Sequence, residues 1–259
     1  MIPRNTPQSV QDAPIVQWAS GRTEARPAGH SRYSGLVGFH SEVGKDAAFD
    51  AACQAAGVAQ VTIRHPREGG PAVEVLHWSF GETLAVYPLT AGPPYRSLVA
   101  CLKSARTAEA GLGLVWPQGE RSRLAVRCYI LVGDAPHLVQ LSVRSTMTDH
   151  LLAALIAHVR ACEAADALID RAKHPDVVAL YELALPLGPG AEVAAGKRET
   201  TTIVPLAAQH PAPLTAQAIR AARLWRPESV AQAALTDWPD VVAWAAEYCS
   251  GATNGDSHV

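Results

Sequence analysis

Several familiar signatures are missing from this chain, and each absence narrows its chemistry. None of the five cysteines, Cys53, Cys101, Cys128, Cys162 and Cys249, stands in a CxxC pair. A cysteine-built structural zinc is therefore not expected, and scattered thiols in apolar surroundings fit the reduced state of a cytosol better than a disulfide framework. The opening "MIPRNTPQSVQDAP" has no apolar run of the kind a secretory signal needs. The longest helical apolar segment, near 151–159, is too short to span a bilayer, so no membrane partner is expected. Charged residues are only 18% of the chain and nearly balanced, with a net charge of −2, so the surface as a whole does not attract nucleic acid or anionic lipid.

Catalytic motifs are equally scarce. There is no GxSxG, and the histidines, among them His40, His65, His77, His137, His150, His158 and His174, never fall in HxH or HExxH spacing. Neither a metal nor another cofactor is expected. "GFHSEVGKD" invites comparison with a phosphate-binding loop, but Gly38 and Gly44 stand one residue too far apart and Asp46 replaces the hydroxyl residue. Glu42, Asp46 and Asp50 fall at a helix start, where capping and dipole roles account for them.

What the chain does contain is a run of short strands. Residues 1–30, rich in Pro, Gln, Ser and Arg, read as a flexible N-terminal arm in which Trp18 is the one residue expected to dock. Residues 31–212 read as the core and 213–259 as a C-terminal helical extension. In the core, "LVGFHSEV" is a strand leading to a helix over 46–56, capped by Asp46 and ended by Gly57. "QVTIRH", "AVEVLHWSF" and "TLAVYPL" are further strands, the last two joined by a Gly81-Glu82 hairpin turn. "YRSLVACLKSARTAEAGLG" reads as a helix whose Arg96, Lys103 and Arg106 share a face.

A long third helix starts near the capping pair Thr146 and Asp149, and "VVALYELALPL" pairs with "ETTTIVPLAAQH". Trp225, Trp238 and Trp244 are spaced as packing residues of the terminal helices. Antiparallel strands with helices inserted among them give an α+β class: an antiparallel sheet, or a partly closed OB-like barrel. Arginine outnumbers lysine and alanine is abundant, which reads as bacterial genome composition and carries no functional weight.

The stretch "GERSRLAVRCYILVGDAPHLVQLSVRSTM", 119–147, carries the strongest pattern. With a period of two, Leu124, Val126, Cys128, Ile130 and Val132 share one side, while Arg121, Arg123, Arg127 and Tyr129 share the other. A four-residue "GDAP" loop would set Val132 opposite His137, Cys128 opposite Leu141 and Arg127 opposite Ser142, with Arg144 on the arginine side. That face is expected to be open to solvent.

Charged residues on a solvated sheet face are ordinary, which is the plain reading of these arginines. Against it, few acids stand nearby, and clustered guanidinium groups repel unless an anion lies among them. Arginines around an aromatic ring suit a single strand, phosphates meeting the charges and bases the ring. The sequence therefore points to a non-catalytic, cytoplasmic protein that binds single-stranded nucleic acid, DNA in the first instance. Arg121, Arg123, Arg127, Tyr129 and Arg144 would form the groove. Lys103, Arg106 and Arg64 would extend it, and Trp78 is read either as core or as a stacking platform. The competing readings are a nuclease or hydrolase without a visible motif, and an assembly protein, homo-oligomeric or otherwise, docking through its C-terminal tryptophan helices.

Overall fold

A computed structural model describes residues 13–21, 23–24, 36–67, 70–89, 123–144, 147–166, 182–195 and 201–251. The strands are β1 (Ile15–Ser20), β2 (Thr23–Glu24), β3 (Val37–Glu42), β4 (Ala59–Arg67), β5 (Gly70–Ser79), β6 (Leu84–Pro88), β7 (Arg123–Val132), β8 (Ala135–Arg144), β9 (Leu185–Pro189), β10 (Val193–Ala195), β11 (Thr201–Ile203) and β12 (Leu206–Ala208). The helices are α1 (Ala47–Ala55), α2 (Met147–Asp166), α3 (Ala216–Ala221) and α4 (Glu228–Gly251).

Nine strands form one open sheet in the order β12-β9-β6-β7-β8-β1-β3-β5-β4, and β10-β11-β2 make a small second sheet. The α+β expectation holds in its broad form: a large, mostly antiparallel sheet with a few helices. The sheet is not a closed barrel.

The expected α1 is present, with Phe49 N–H donating to the Asp46 carboxylate at 2.9 Å as an N-cap requires. The β9–β12 pairing is present too, with Leu206 opposite Pro189. Three expectations change. Residues 15–20, assigned to a flexible arm, form β1 in the middle of the sheet, parallel to β8 and antiparallel to β3. Trp18 does dock: its Nε1 donates to the Val204 carbonyl at 2.9 Å and its ring meets Phe39 edge-on at 4.8 Å. Residues 15–20 are themselves mostly apolar, but the polar composition of residues 1–30 as a whole masks so short a strand, whose partners lie elsewhere in the chain.

Gly81-Glu82 does not close a hairpin, because β6 pairs with β7 and β9 and not with β5. Instead the Gly81 carbonyl accepts from Phe39 N–H at 2.9 Å. Gly38 permits this crossing. It has φ +132, and a Cβ there would stand 2.5 Å from the Gly81 oxygen.

The β7–β8 hairpin forms, but in a register displaced by two residues. Val132 faces Ala135, Cys128 faces Val139 and Arg127 faces Gln140, leaving Gly133-Asp134 as the loop. Gly133 takes φ +61, which suits a tight two-residue connection, and that turn prevails over the longer "GDAP" loop. A slip of two preserves parity, so each side chain stays on its expected face.

Those faces can be followed across the sheet because directly paired residues point the same way. One carries Trp18, Phe39, Trp78, Ile130, Val139 and Leu141, all buried, with α1 packed over it through Phe49, whose ring meets His137 at 5.7 Å. The other carries Gln17, His40, His77, Arg127, Tyr129 and Ser142, and α4 lies over its β7–β8 part. α2 runs against β12, with further contact to β7, β8 and β9.

Candidate functional site

The arginine face is where the structure departs most from the sequence reading. Arg127 and Tyr129 are each 1% exposed. The Arg127 guanidinium carbon sits 4.5 Å from the centre of the Trp244 ring on α4, a cation–π contact. Tyr129 donates its hydroxyl proton to the Asp237 carboxylate, also on α4. Burial, then the hydrogen bond to Asp237 and its charge, hold the Tyr129 phenol well above its ordinary pKa.

Period-two alternation correctly separated the two faces of β7. It could not show that both are covered, because the covering helix lies about a hundred residues further on. Tyr129 is thus not a stacking platform, nor is Arg127 an open phosphate contact.

The remaining expected site residues fall into three groups. Arg123 and Arg144 are directly opposed Cα partners at the open end of the β7–β8 hairpin. Arg64 lies exposed on β4, the outer strand, and pairs with Glu74 at 3.3 Å. Five strand steps separate β4 from β7, on the order of 24 Å at about 4.8 Å per step. The backbone positions of Arg123 and Arg144 therefore lie far from Arg64. Arg121, Lys103 and Arg106 lie outside the described residues, as does Arg96.

Trp78 resolves to the core reading. It is buried, and its Nε1 donates to the Asp50 carboxylate at 2.6 Å. The other Asp50 oxygen accepts from Gly44 N–H at 2.8 Å. Beside this pair, a cleft of about 660 Å³ opens between α1 and β4, lined by Val43, Ala47, Ala51, Gln54, Val58 and Gln60. Asp50 holds α1 to the sheet, which accounts for its two bonds without any chemistry.

Two histidine arrangements appear that sequence spacing did not reveal. On α2, His158 Nε2 lies 3.6 Å from the Cys162 sulfur, while its Nδ1 lies 3.1 Å from Nε2 of His210, the two rings stacked within 6°. This has the order of a nucleophile, a base and an orienting group. Cys162 and His158 are fully buried, however, so no substrate carbon can reach the sulfur in this arrangement. His210, after β12, is pushed by burial down to about 4 and stays neutral at pH 7. The His158–Cys162 spacing of one helical turn was visible in the sequence; the His210 contact was not.

The second arrangement joins β4 and β5, where His65 and His77 bring their Nε2 atoms within 3.1 Å. Nearby on β3, His40 is buried with neither ring nitrogen hydrogen-bonded, and burial lowers its pKa to about 4. Among the described residues no group of three or more His, Cys, Asp or Glu is placed so that it could hold a metal ion. No helix among them is long and apolar enough to cross a membrane. Comparison with known proteins returns no match: no family model fits the chain, and no curated protein or solved structure is similar to it.

Proposed function

We propose that the protein is a non-catalytic, cytoplasmic binder of single-stranded nucleic acid that contacts phosphates at the open end of the β7–β8 hairpin. The observation that carries this reading is the direct opposition of Arg123 and Arg144. Like charges at opposed positions of an antiparallel pair destabilise it, and an anion between them turns that repulsion into attraction. Phosphate contact by arginine is independent of sequence and needs no ring. The burial of Tyr129 therefore changes the expected mode and leaves the class of ligand unchanged. Binding rests on charge, with weak base preference.

The test is fluorescence anisotropy with short single-stranded and duplex oligonucleotides over a range of salt. Each phosphate neutralised on a single strand contributes about −0.7 to the slope of log K against log salt. Replacing both Arg123 and Arg144 with alanine should flatten the slope by roughly 1.4 and weaken binding to all sequences alike. Wild-type protein that binds neither oligonucleotide at low salt would overturn the reading.

A further inference from the structure

β4 is the last strand of the nine-stranded sheet, and among the described residues nothing pairs with its outer edge. The opposite edge strand, β12, spans only Leu206–Ala208 and has α2 against it. Val43 N–H donates to the Leu76 carbonyl at 3.0 Å and Phe80 N–H to the Phe39 carbonyl at 2.9 Å, so Leu76, Trp78 and Phe80 turn their backbone groups to β3. Val75, His77 and Ser79 alternate with them and therefore bond β4, through Ile63, Val61 and Ala59. The same alternation leaves the N–H and C=O groups of Gln60, Thr62 and Arg64 pointing out of the sheet. All three residues are exposed. Pro66 and the register shift between His65 and Arg67 blunt the far end of this edge, but the pairing with β5 is regular from Ala59 to His65.

This edge is complementary to itself. A two-fold axis at Thr62, perpendicular to the sheet, sets Thr62 opposite the partner's Thr62 and Gln60 opposite the partner's Arg64. Val61 then faces the partner's Ile63, and Ala59 the partner's His65. Every outward N–H and C=O from Gln60 to Arg64 finds a mate, threonine meets threonine, and no like charges are opposed. Neighbouring axes do less. An axis at Ile63 sets Gln60 against Pro66, which has no N–H to give. An axis at Val61 sets Arg64 against Val58, whose N–H already donates to the Cys53 carbonyl at 2.9 Å. An axis at Arg64 opposes two arginines.

Charge favours the Thr62 axis as well. Gln60 and Arg64 point to the same face as Trp78, the face that α1 covers. The cleft between α1 and β4 opens beside Gln60, and Asp50 is the one charged residue among those lining it. The partner's Arg64, opposite Gln60, arrives at this cleft, and symmetry repeats the contact. Its bond to Glu74 within one chain holds it loosely, since the two side chains are 78% and 61% exposed and water screens the pair. We propose that two copies of this chain dimerise edge to edge through β4, antiparallel about Thr62, with Arg64 of each copy seated at the Asp50 cleft of the other.

Sedimentation velocity of the full chain over a range of concentrations tests this. The contact is at the small end of specific interfaces, so the expected result is reversible dimerisation with a dissociation constant in the micromolar range. Thr62→Lys sets two ammonium groups face to face at the axis and should weaken the dimer roughly tenfold or more. Arg64→Glu brings a carboxylate toward Asp50 and should weaken it comparably, most at low salt. Both positions are exposed, so circular dichroism should show an intact fold, and either variant carries the test if the other does not fold. Amide hydrogen exchange gives a second readout: Gln60, Thr62 and Arg64 should slow as concentration rises, whereas Val61 and Ile63, already bonded to β5, should not change. Wild-type protein that stays monomeric up to about 100 μM would overturn the proposal. So would a dimer that folded Thr62→Lys or Arg64→Glu leaves at wild-type affinity, since another surface would then hold it. Arg123 and Arg144 stand on β7 and β8, away from this edge, so oligonucleotide binding is kept or lost independently.

Discussion

Replacing Tyr129 with phenylalanine removes one oxygen and tests whether α4 covers the β7–β8 face. The ring keeps its place in the core, so no cavity opens, and the change isolates the hydroxyl donated to Asp237. A hydrogen bond to a charged group contributes about 1.5–3 kcal/mol. Asp237 is only partly buried and can recruit water after the loss, which favours the lower half of that range, about 2 kcal/mol. For a domain of this size each kcal/mol moves Tm by roughly 2–4 °C, giving a fall of about 4–8 °C by differential scanning fluorimetry.

The pH dependence gives an independent check. The folded-state pKa of Tyr129 is raised above its ordinary value of 10. The native state thus holds the phenolic proton after the unfolded chain has lost it. The contribution is complete below pH 10 and declines above it, so wild type and Tyr129→Phe should converge as pH rises past 10. A variant with unchanged Tm and no such convergence would mean that the hydroxyl is solvated and the face open, as the sequence alone suggested.

Further consequences follow from other parts of the sheet. Gly38→Ala places a methyl carbon 2.5 Å from the Gly81 oxygen, so it should lower Tm far more than Gly44→Ala, where φ is +87 but the space is open. Chemical denaturation of the pair measures the difference. His40 has its folded pKa lowered from 6.5 to about 4, so its protonation favours the unfolded chain. Stability should fall as pH drops below 6.5 toward 4, and His40→Leu should reduce that fall while leaving neutral-pH stability equal or higher. Trp78→Phe removes the donor to Asp50 and shrinks the buried indole to a single ring, so it should cost more than the about 1.5–3 kcal/mol of the hydrogen bond alone, as measured by urea titration.

Local chemistry was legible in the sequence where the structure depends on local chemistry. Asp46 caps α1, Gly57 follows its end, and alternation sorts Val126, Cys128 and Ile130 from Arg127 and Tyr129. The parity survived even an incorrect loop, because faces repeat every two residues while register depends on the turn. Long-range partners were not legible. Nothing in "QDAPIVQWAS" announces that β8 will pair with it, and nothing in "RLAVRCYIL" announces Trp244 or Asp237. The His65–His77 contact escaped for the same reason: the two rings meet through the pairing of β4 with β5, which no sequence spacing encodes.

The place of β1 has a consequence for how the chain is made. Its two hydrogen-bonded neighbours arrive at very different times in synthesis: β3 begins at Val37, but β8 only at Ala135. Until β8 emerges, one side of β1 has no partner, and the β3-β5-β4 wing cannot join the β12-β9-β6-β7-β8 wing. Pairings between distant segments are slow to form because the chain must first close a long loop. The strand that stitches the two wings together is thus translated long before its second neighbour and sealed late. During that interval the growing chain carries an unpaired strand edge on β1, the kind of edge at which strands of different chains can pair.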